Sequence, residues 1–225
     1  MEEGSRKSVK KVFEEWSKGS FGPSMERIHP LLHRWWLKDL KLTEDGRVLD
    51  MSCGFGWASR IIASMVPDGE VVGIDFAEGM IKNARQLASQ DKSHNSRNLR
   101  FEVADAEDIP FLDDYFDCAI CIDSFAWYPN PESALQEIKR VLKPGGVLYL
   151  ADTPDSLLLR PYLKVWKVFS SSIDGWNPYS VDEFREFLEA EFIDVYQKRG
   201  QFSSRLLGVL MGADAILTVG KKGSN

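Results

Sequence analysis

Five aspartates, Asp50, Asp75, Asp105, Asp123 and Asp152, each sit at or near the end of a short apolar run in this 225-residue chain. Between the first two lies "SCGFGWAS", which places Gly54 and Gly56 directly after an apolar run and before a helix-like stretch. Glycines in such a turn let the backbone close on a ligand where any Cβ would intervene. Carboxylates beside it can accept hydrogen bonds from hydroxyl and amino groups and can attract a cation. The chemistry on offer is the binding of a ligand rich in donors with a positively charged end. A metal is not expected: His29 and His33 are four apart, but no third ligand accompanies them, so they are read as core-edge or surface residues.

A glycine turn of this form suits NAD, FAD, nucleotide phosphates and S-adenosylmethionine alike, and "GFGWAS" matches G-x-G-x-x-small only loosely. Asp75, 19 residues past Gly56, closes the second apolar run, where a carboxylate can take both hydroxyls of a ribose. NAD fits up to that point. Asp50, four residues before Gly54, would repel a pyrophosphate but attract the ammonium of an amino-acid moiety. Asp105 and Glu107 in "ADAEDIPF" can accept hydrogen bonds of the kind an adenine amino group offers.

Those residues need a scaffold that gathers the ends of apolar runs. Val9, Val12, Phe13 and Trp16 share one helical face, and Met25, Ile28, Leu32, Trp35 and Trp36 form a second stripe. Strands are expected at 47–51, 70–75, 99–105, 116–123 and 147–152. A helix with Met80, Ile81, Ala84, Leu87 and Ala88 on one face follows the second strand. Another opens at Asn130-Pro131 and is stopped by "KPGG". Ser180 with Glu183 makes a capping box for the last helix. Two final strands, 192–200 and 213–222, have no helical pattern between them and are expected to pair antiparallel. Strands alternating with helices at short spacing predict an α/β fold with a mainly parallel sheet.

The chain is long enough for one sizeable core and short for two. It reads as one domain: N-terminal helices over 1–44, a ligand-binding core over 45–152, an aromatic-rich insertion over 153–190 and a terminal strand pair over 191–225. Net charge is −6 with scattered basic residues, which speaks against a nucleic-acid partner. Three cysteines form no disulfide framework, and Cys118 and Cys121 read as core thiols. No stretch has the apolar length of a signal peptide or membrane span. The expectation is a soluble, cytoplasmic protein, a monomer or homodimer.

"VLDMSCGFG", "VVGIDFAEGMI", "VADAEDIPF" and "YFDCAICIDSFAWYPNPESALQEIKRVLKPGGVLYLAD" together resemble the class I S-adenosylmethionine-dependent methyltransferases. The nearest branch is the small-molecule one that includes the ubiquinone/menaquinone biosynthesis C-methyltransferases. The resemblance is in register over 45–155 and looser over the last strand pair. It implies a Rossmann-like seven-stranded, mainly parallel sheet with the last strand antiparallel, helices on both faces and an N-terminal helical lid. It also implies S-adenosyl-L-methionine as cofactor. By position, Asp50, Ser52, Gly54 and Gly56 would line its methionine part and Asp75 its ribose. Phe76 and Met80 would flank the adenine, Asp105 and Ala106 would meet its edge, and Ile122 and Asp123 would close the site. Two residues depart from the pattern: Ser52 stands at a usual glycine, and Trp57 stands where a small residue is common. Trp57 is either the first core residue of its helix or a wall that narrows the pocket.

Methyl transfer from a sulfonium is a direct displacement, so the enzyme mainly aligns the partners and excludes water. A base is needed only if the nucleophile keeps a proton. The catalytic candidates are Asp123, Tyr128 and Asp152, the last reading equally well as a solvated strand end. Trp127 and Tyr128 would wall the acceptor, joined by Trp166 and Trp176 from the insertion. No histidine follows the fourth strand, where related enzymes often carry one, so catalysis by proximity is expected. "DSFAWYPN" lacks the Pro-Pro-aromatic turn used on nucleic-acid bases, which points to a small-molecule acceptor. In the insertion, Leu158, Tyr162, Val165, Trp166 and Phe169 share a face opposite Arg160, Lys164 and Lys167. That pattern reads either as a helix on the sheet edge or as a lid over an apolar acceptor, its basic face meeting a carboxylate or an anionic membrane surface. The competing functions are an NAD-dependent oxidoreductase, disfavoured by Asp50, and a non-catalytic cofactor-binding partner subunit.

Overall fold

A computed structural model describes residues 2–19, 24, 26–30, 34–91, 97–154, 175–200 and 215–224. The continuous apolar runs form its strands, because a strand covered by helices on both faces has no polar side to alternate. The strands are β1 (Arg47–Met51), β2 (Glu70–Asp75), β3 (Leu99–Val103), β4 (Phe116–Ile122), β5 (Leu142–Asp152), β6 (Ile193–Arg199) and β7 (Ile216–Lys221). They lie in one sheet in the order β3-β2-β1-β4-β5-β7-β6. The first five in that order are parallel, and β7 runs antiparallel to both β5 and β6. Neighbouring residues alternate between two cores: Val48, Val71 and Ile120 pack with Trp36 and Ile62 on one face, Leu49, Val72 and Cys121 with Phe125 and Leu135 on the other. Burial raises the thiols of Cys118 and Cys121, as core positions require.

Among the described residues the longer helices are α1 (Glu2–Lys18), α2 (Trp57–Met65), α3 (Glu78–Gln90), α4 (Pro131–Val141) and α5 (Val181–Glu191). The expected caps are present. Asn130 Oδ1 accepts from Ser133 N at 3.1 Å with Pro131 in the first turn, and Ser180 and Glu183 form a reciprocal capping box. The two final strands pair antiparallel as expected.

Boundaries differ from the sequence reading at several elements. The stripe from Met25 to Trp36 is not α-helical throughout: residues 26–30 are helical, and Trp35 and Trp36 belong to a 3₁₀ helix, Arg34–Asp39. The third strand stops at Val103, since Ala104 N turns to bond Asp75 O at 3.1 Å and Asp105 bridges to Asp108. The fifth begins at Leu142, pairing with Phe116 before a register shift that absorbs "KPGG". The insertion helix expected around 158–169, with Trp166, lies outside the described residues. No described helix is long and apolar enough to cross a membrane.

Replacing Ser180 by Ala removes one half of the capping box. The expected loss is about 1 kcal/mol, read as a melting temperature lower by roughly 2–4 °C.

Candidate active site

In an open parallel sheet the crevice opens at the carboxyl ends of the strands, where the strand order reverses. Here the reversal falls between β1 and β4. The turn after β1 is left-handed at Ser52 (φ 50), Gly54 (φ 55) and Gly56 (φ 75). At Gly56 an added Cβ would come within 2.6 Å of the Phe101 ring, so this glycine serves close packing beneath the turn. At Gly54 an added Cβ would meet no atom within 4 Å, because it faces a cavity. Ser52 tolerates a conformation that favours glycine while its Oγ and the Tyr128 hydroxyl form a hydrogen bond at 3.0 Å.

The cavity has a volume of about 330 Å³, within the range of small-molecule sites. Asp50, Ser52, Gly54 and Asp75 line one part, with Phe76, Met80, Asp105 and Ala106 beside them. Ile122, Asp123, Trp127, Tyr128, Asp152 and Trp176 line the part beyond the reversal. Of the residues expected here, Gly56 alone among those described stays off the cavity wall. Trp57 does both things expected of it: it is a buried core residue and it reaches the wall.

Burial governs the electrostatics. Asp75 Oδ1 accepts from Ala77 N at 2.9 Å and Oδ2 from Gly54 N at 3.1 Å, yet burial still pushes its carboxyl up to about 6. Asp50 accepts from the Ser59 hydroxyl, but burial, with the charge of Asp75 added, pushes it up to about 7. Asp152 is raised well above the carboxylate range by burial and then by Asp123. Its buried position rules out the reading as a solvated strand end. The Tyr128 phenol is raised strongly by its burial.

Helix α1 lies across the cavity mouth. Phe13 packs edge-on against Trp127 at 5.2 Å and Phe76 at 6.0 Å, and Trp16 against Trp127 at 5.5 Å. Glu14 accepts from the backbone amides of Glu78 (2.8 Å) and Gly79 (3.3 Å), the electropositive start of α3. Arg6 pairs with Asp105 at 3.3 Å and with Glu107. Sequence reasoning missed Arg6, although it shares the helical spacing of Val9 and Phe13. It also missed His29, whose Nε2 stands 3.9 Å from Asp123 Oδ2. A histidine therefore does reach the end of the fourth strand, supplied by the N-terminal segment, and His29, expected at the core edge or surface, lines the cavity. No local pattern signals a contact across that sequence distance.

A family model described as a methyltransferase domain matches residues 49–150. A demethylmenaquinone methyltransferase of Lactiplantibacillus plantarum is 32% identical over 165 residues, which cover 68% of this chain and 68% of that protein. The chain belongs to the class I S-adenosylmethionine-dependent methyltransferases. Solved structures share its fold. A chain from the complex between the Haloferax volcanii Trm112 methyltransferase activator and a methyltransferase gives a TM-score of 0.79 at 24% identity, covering 94% of this chain and 97% of that one. The YcgJ protein of Bacillus subtilis gives 0.65 at 22% identity, covering 88% and 100%.

The cavity of this methyltransferase fits S-adenosyl-L-methionine. The open floor at Gly54 leaves room beside the turn, and Asp50 is a buried carboxyl in need of a cation. Folding raises Asp50 and Asp75 from 3.8 to about 7 and about 6, so the folded state binds more protons there. Their contribution to ligand-free stability therefore falls as pH rises from the ordinary carboxylate range through these values. Asp50→Asn should raise the melting temperature at about pH 8, by the equivalent of about 1–4 kcal/mol, and have little effect near pH 4. The same variant should bind S-adenosylhomocysteine more weakly. Deleting residues 1–20 should weaken that ligand about tenfold or more, or roughly 1.4 kcal/mol; unchanged affinity by calorimetry would show that α1 is not a lid.

Proposed function

We propose that the methyl acceptor is a small apolar aromatic metabolite of the reduced-quinone type. The observation that carries this reading is the make-up of the cavity beyond the strand reversal. There, Trp127 and Trp176, with ring centroids 6.5 Å apart, line the same cavity as Asp123 and Asp152 at the strand ends. An aromatic-walled pocket that also carries carboxyl groups suits a ring bearing oxygen substituents. The name of the Lactiplantibacillus plantarum relative supports the same class.

When bound, S-adenosyl-L-methionine supplies a methyl group activated on a sulfonium. Asp50 takes its ammonium, and Ser52 and Gly54 line the methionine part. Asp75, with both oxygens aimed by backbone amides, accepts from the ribose hydroxyls. Phe76 and Met80 flank the adenine, Asp105 and Ala106 meet its edge, and Ile122 closes the site beside Asp123. Gly56 acts from below by letting the turn pack on Phe101. Tyr128, held as a neutral phenol and bonded to Ser52, fixes the turn and walls the acceptor rather than serving as a base. Phe13 and Trp16 exclude water from the aligned partners.

Two measurements test this reading. S-adenosylhomocysteine at a hundred times its dissociation constant should add about 2.7 kcal/mol to stability, whereas NAD and NADP should add none. Methyl-labelled cofactor should then label a chemically reduced demethylnaphthoquinone with a short isoprenoid tail. Labelling of other acceptor classes, but not of reduced quinones or phenols, would overturn the acceptor assignment.

A further inference from the structure

His29, Asp123 and Asp152 come from three separate parts of the chain and line one cavity. His29, on the helical residues 26–30, places Nε2 3.9 Å from Asp123 Oδ2. Asp123 follows β4 in a left-handed conformation (φ 47), pinned by its amide to Ala151 O at 2.9 Å. Its other oxygen, Oδ1, accepts from Thr153 Oγ1 at 3.3 Å. Asp152, the last residue of β5, is only 4% exposed. Its Oδ1 accepts from Thr153 N at 2.7 Å, while Oδ2 has no hydrogen-bond partner among the described residues. Burial, and then the neighbouring Asp123, raises the Asp152 carboxyl above the ordinary carboxylate range. Asp152 thus brings a buried carboxyl to the cavity wall. An ion pair that merely fastened the N-terminal segment would need neither the cavity wall nor that unpartnered group beside it.

We propose that this row recognises and ionises an aromatic hydroxyl: His29 takes the acceptor's hydroxyl proton, Asp123 positions the imidazole, and Asp152 donates a hydrogen bond to the oxygen left behind. The proposal rests on the aromatic acceptor argued above and narrows it to one with an ionisable hydroxyl. The O–H bond breaks and its proton moves to an imidazole nitrogen. The electron pair left on oxygen, or delocalised to the adjacent ring carbon, forms the bond to the methyl group. The methyl–sulfur bond breaks with its pair kept on sulfur. On the carbon route, the hydrogen displaced from that carbon ends on the oxygen. Neutral acceptor and sulfonium thus give methylated acceptor, neutral thioether and one proton, which the imidazolium passes to water. Because the base rides on the N-terminal segment, proton removal is tied to that segment lying over the cavity.

The test uses full-length protein saturated with S-adenosylhomocysteine and 4-nitro-1-naphthol, a probe whose ionised form is coloured. Below the probe's own pKa, the wild type should bind it ionised. His29→Gln should bind S-adenosylhomocysteine with unchanged affinity but hold the probe neutral, and Asp123→Asn, once saturated with S-adenosylhomocysteine, should hold it neutral too. Turnover on a hydroxylated acceptor should fall about 10²- to 10⁴-fold in His29→Gln. Asp152→Asn, which keeps a donor, should retain probe affinity, and Asp152→Leu should lose it. A wild type that binds the probe neutral or not at all, with S-adenosylhomocysteine bound, overturns the proposal and leaves the methyltransferase assignment standing. So does a His29→Gln protein that still ionises it. If the wild type fails to bind S-adenosylhomocysteine, the cofactor assignment falls first and the proposal with it.

Discussion

Four carboxyl groups are gathered at one end of a parallel sheet, three of them buried, and the molecule is organised around keeping them there. Parallel strands end on the same side, so Asp50, Asp75 and Asp152 are brought to one edge by topology alone. Asp123 follows directly after β4. Burying carboxyls is costly unless donors face them. The donors are backbone amides and hydroxyls: Gly54 and Ala77 for Asp75, Ser59 for Asp50, Thr153 for Asp152. The left-handed turn after β1 aims the Gly54 amide at Asp75, so the glycine serves the second strand as much as the first. Compensation is incomplete, and Asp50, Asp75 and Asp152 remain raised. The residual demand for protons or cations is what a ligand bearing an ammonium and hydroxyl groups satisfies.

Helix α1 is the second half of the arrangement. Its aromatic face covers the cavity, Glu14 fastens it to the start of α3, and Arg6 neutralises the acidic pair Asp105 and Glu107. Covering the cavity lowers the local dielectric, which strengthens every charge interaction beneath the helix. The same helix that excludes water therefore sharpens the electrostatics it encloses. His29, in the helical residues that come next, extends this logic from binding to chemistry.

The relation between stability and function is direct in this site. Asp50 and Asp152 burden the folded protein because each would fold more readily as a neutral group. Ser52 carries a positive φ that a glycine would adopt freely, and retains it with a hydroxyl bonded to Tyr128. Such departures from local preference collect at functional sites, where the gain is realised only with ligand present.

Strand and helix identities were readable from local chemistry, since apolar runs, Asn130-Pro131 and the Ser180–Glu183 pair act over a few residues. The acidic site was readable as well, because residues at the ends of parallel strands must converge whatever the loops do. Other features needed the folded chain. Trp35 and Trp36 lie on a 3₁₀ helix rather than the α-helix that their spacing predicts, and Gly56 proved to pack on Phe101 rather than on the cavity. Arg6 meets Asp105, and His29 meets Asp123, across distances in sequence that no repeat or motif spans. The upward shifts of Asp50, Asp75 and Asp152 also follow from depth of burial and the charges nearby. Periodicity and capping are properties of neighbours along the chain, whereas pairing between remote elements and the local dielectric exist only once those elements have packed.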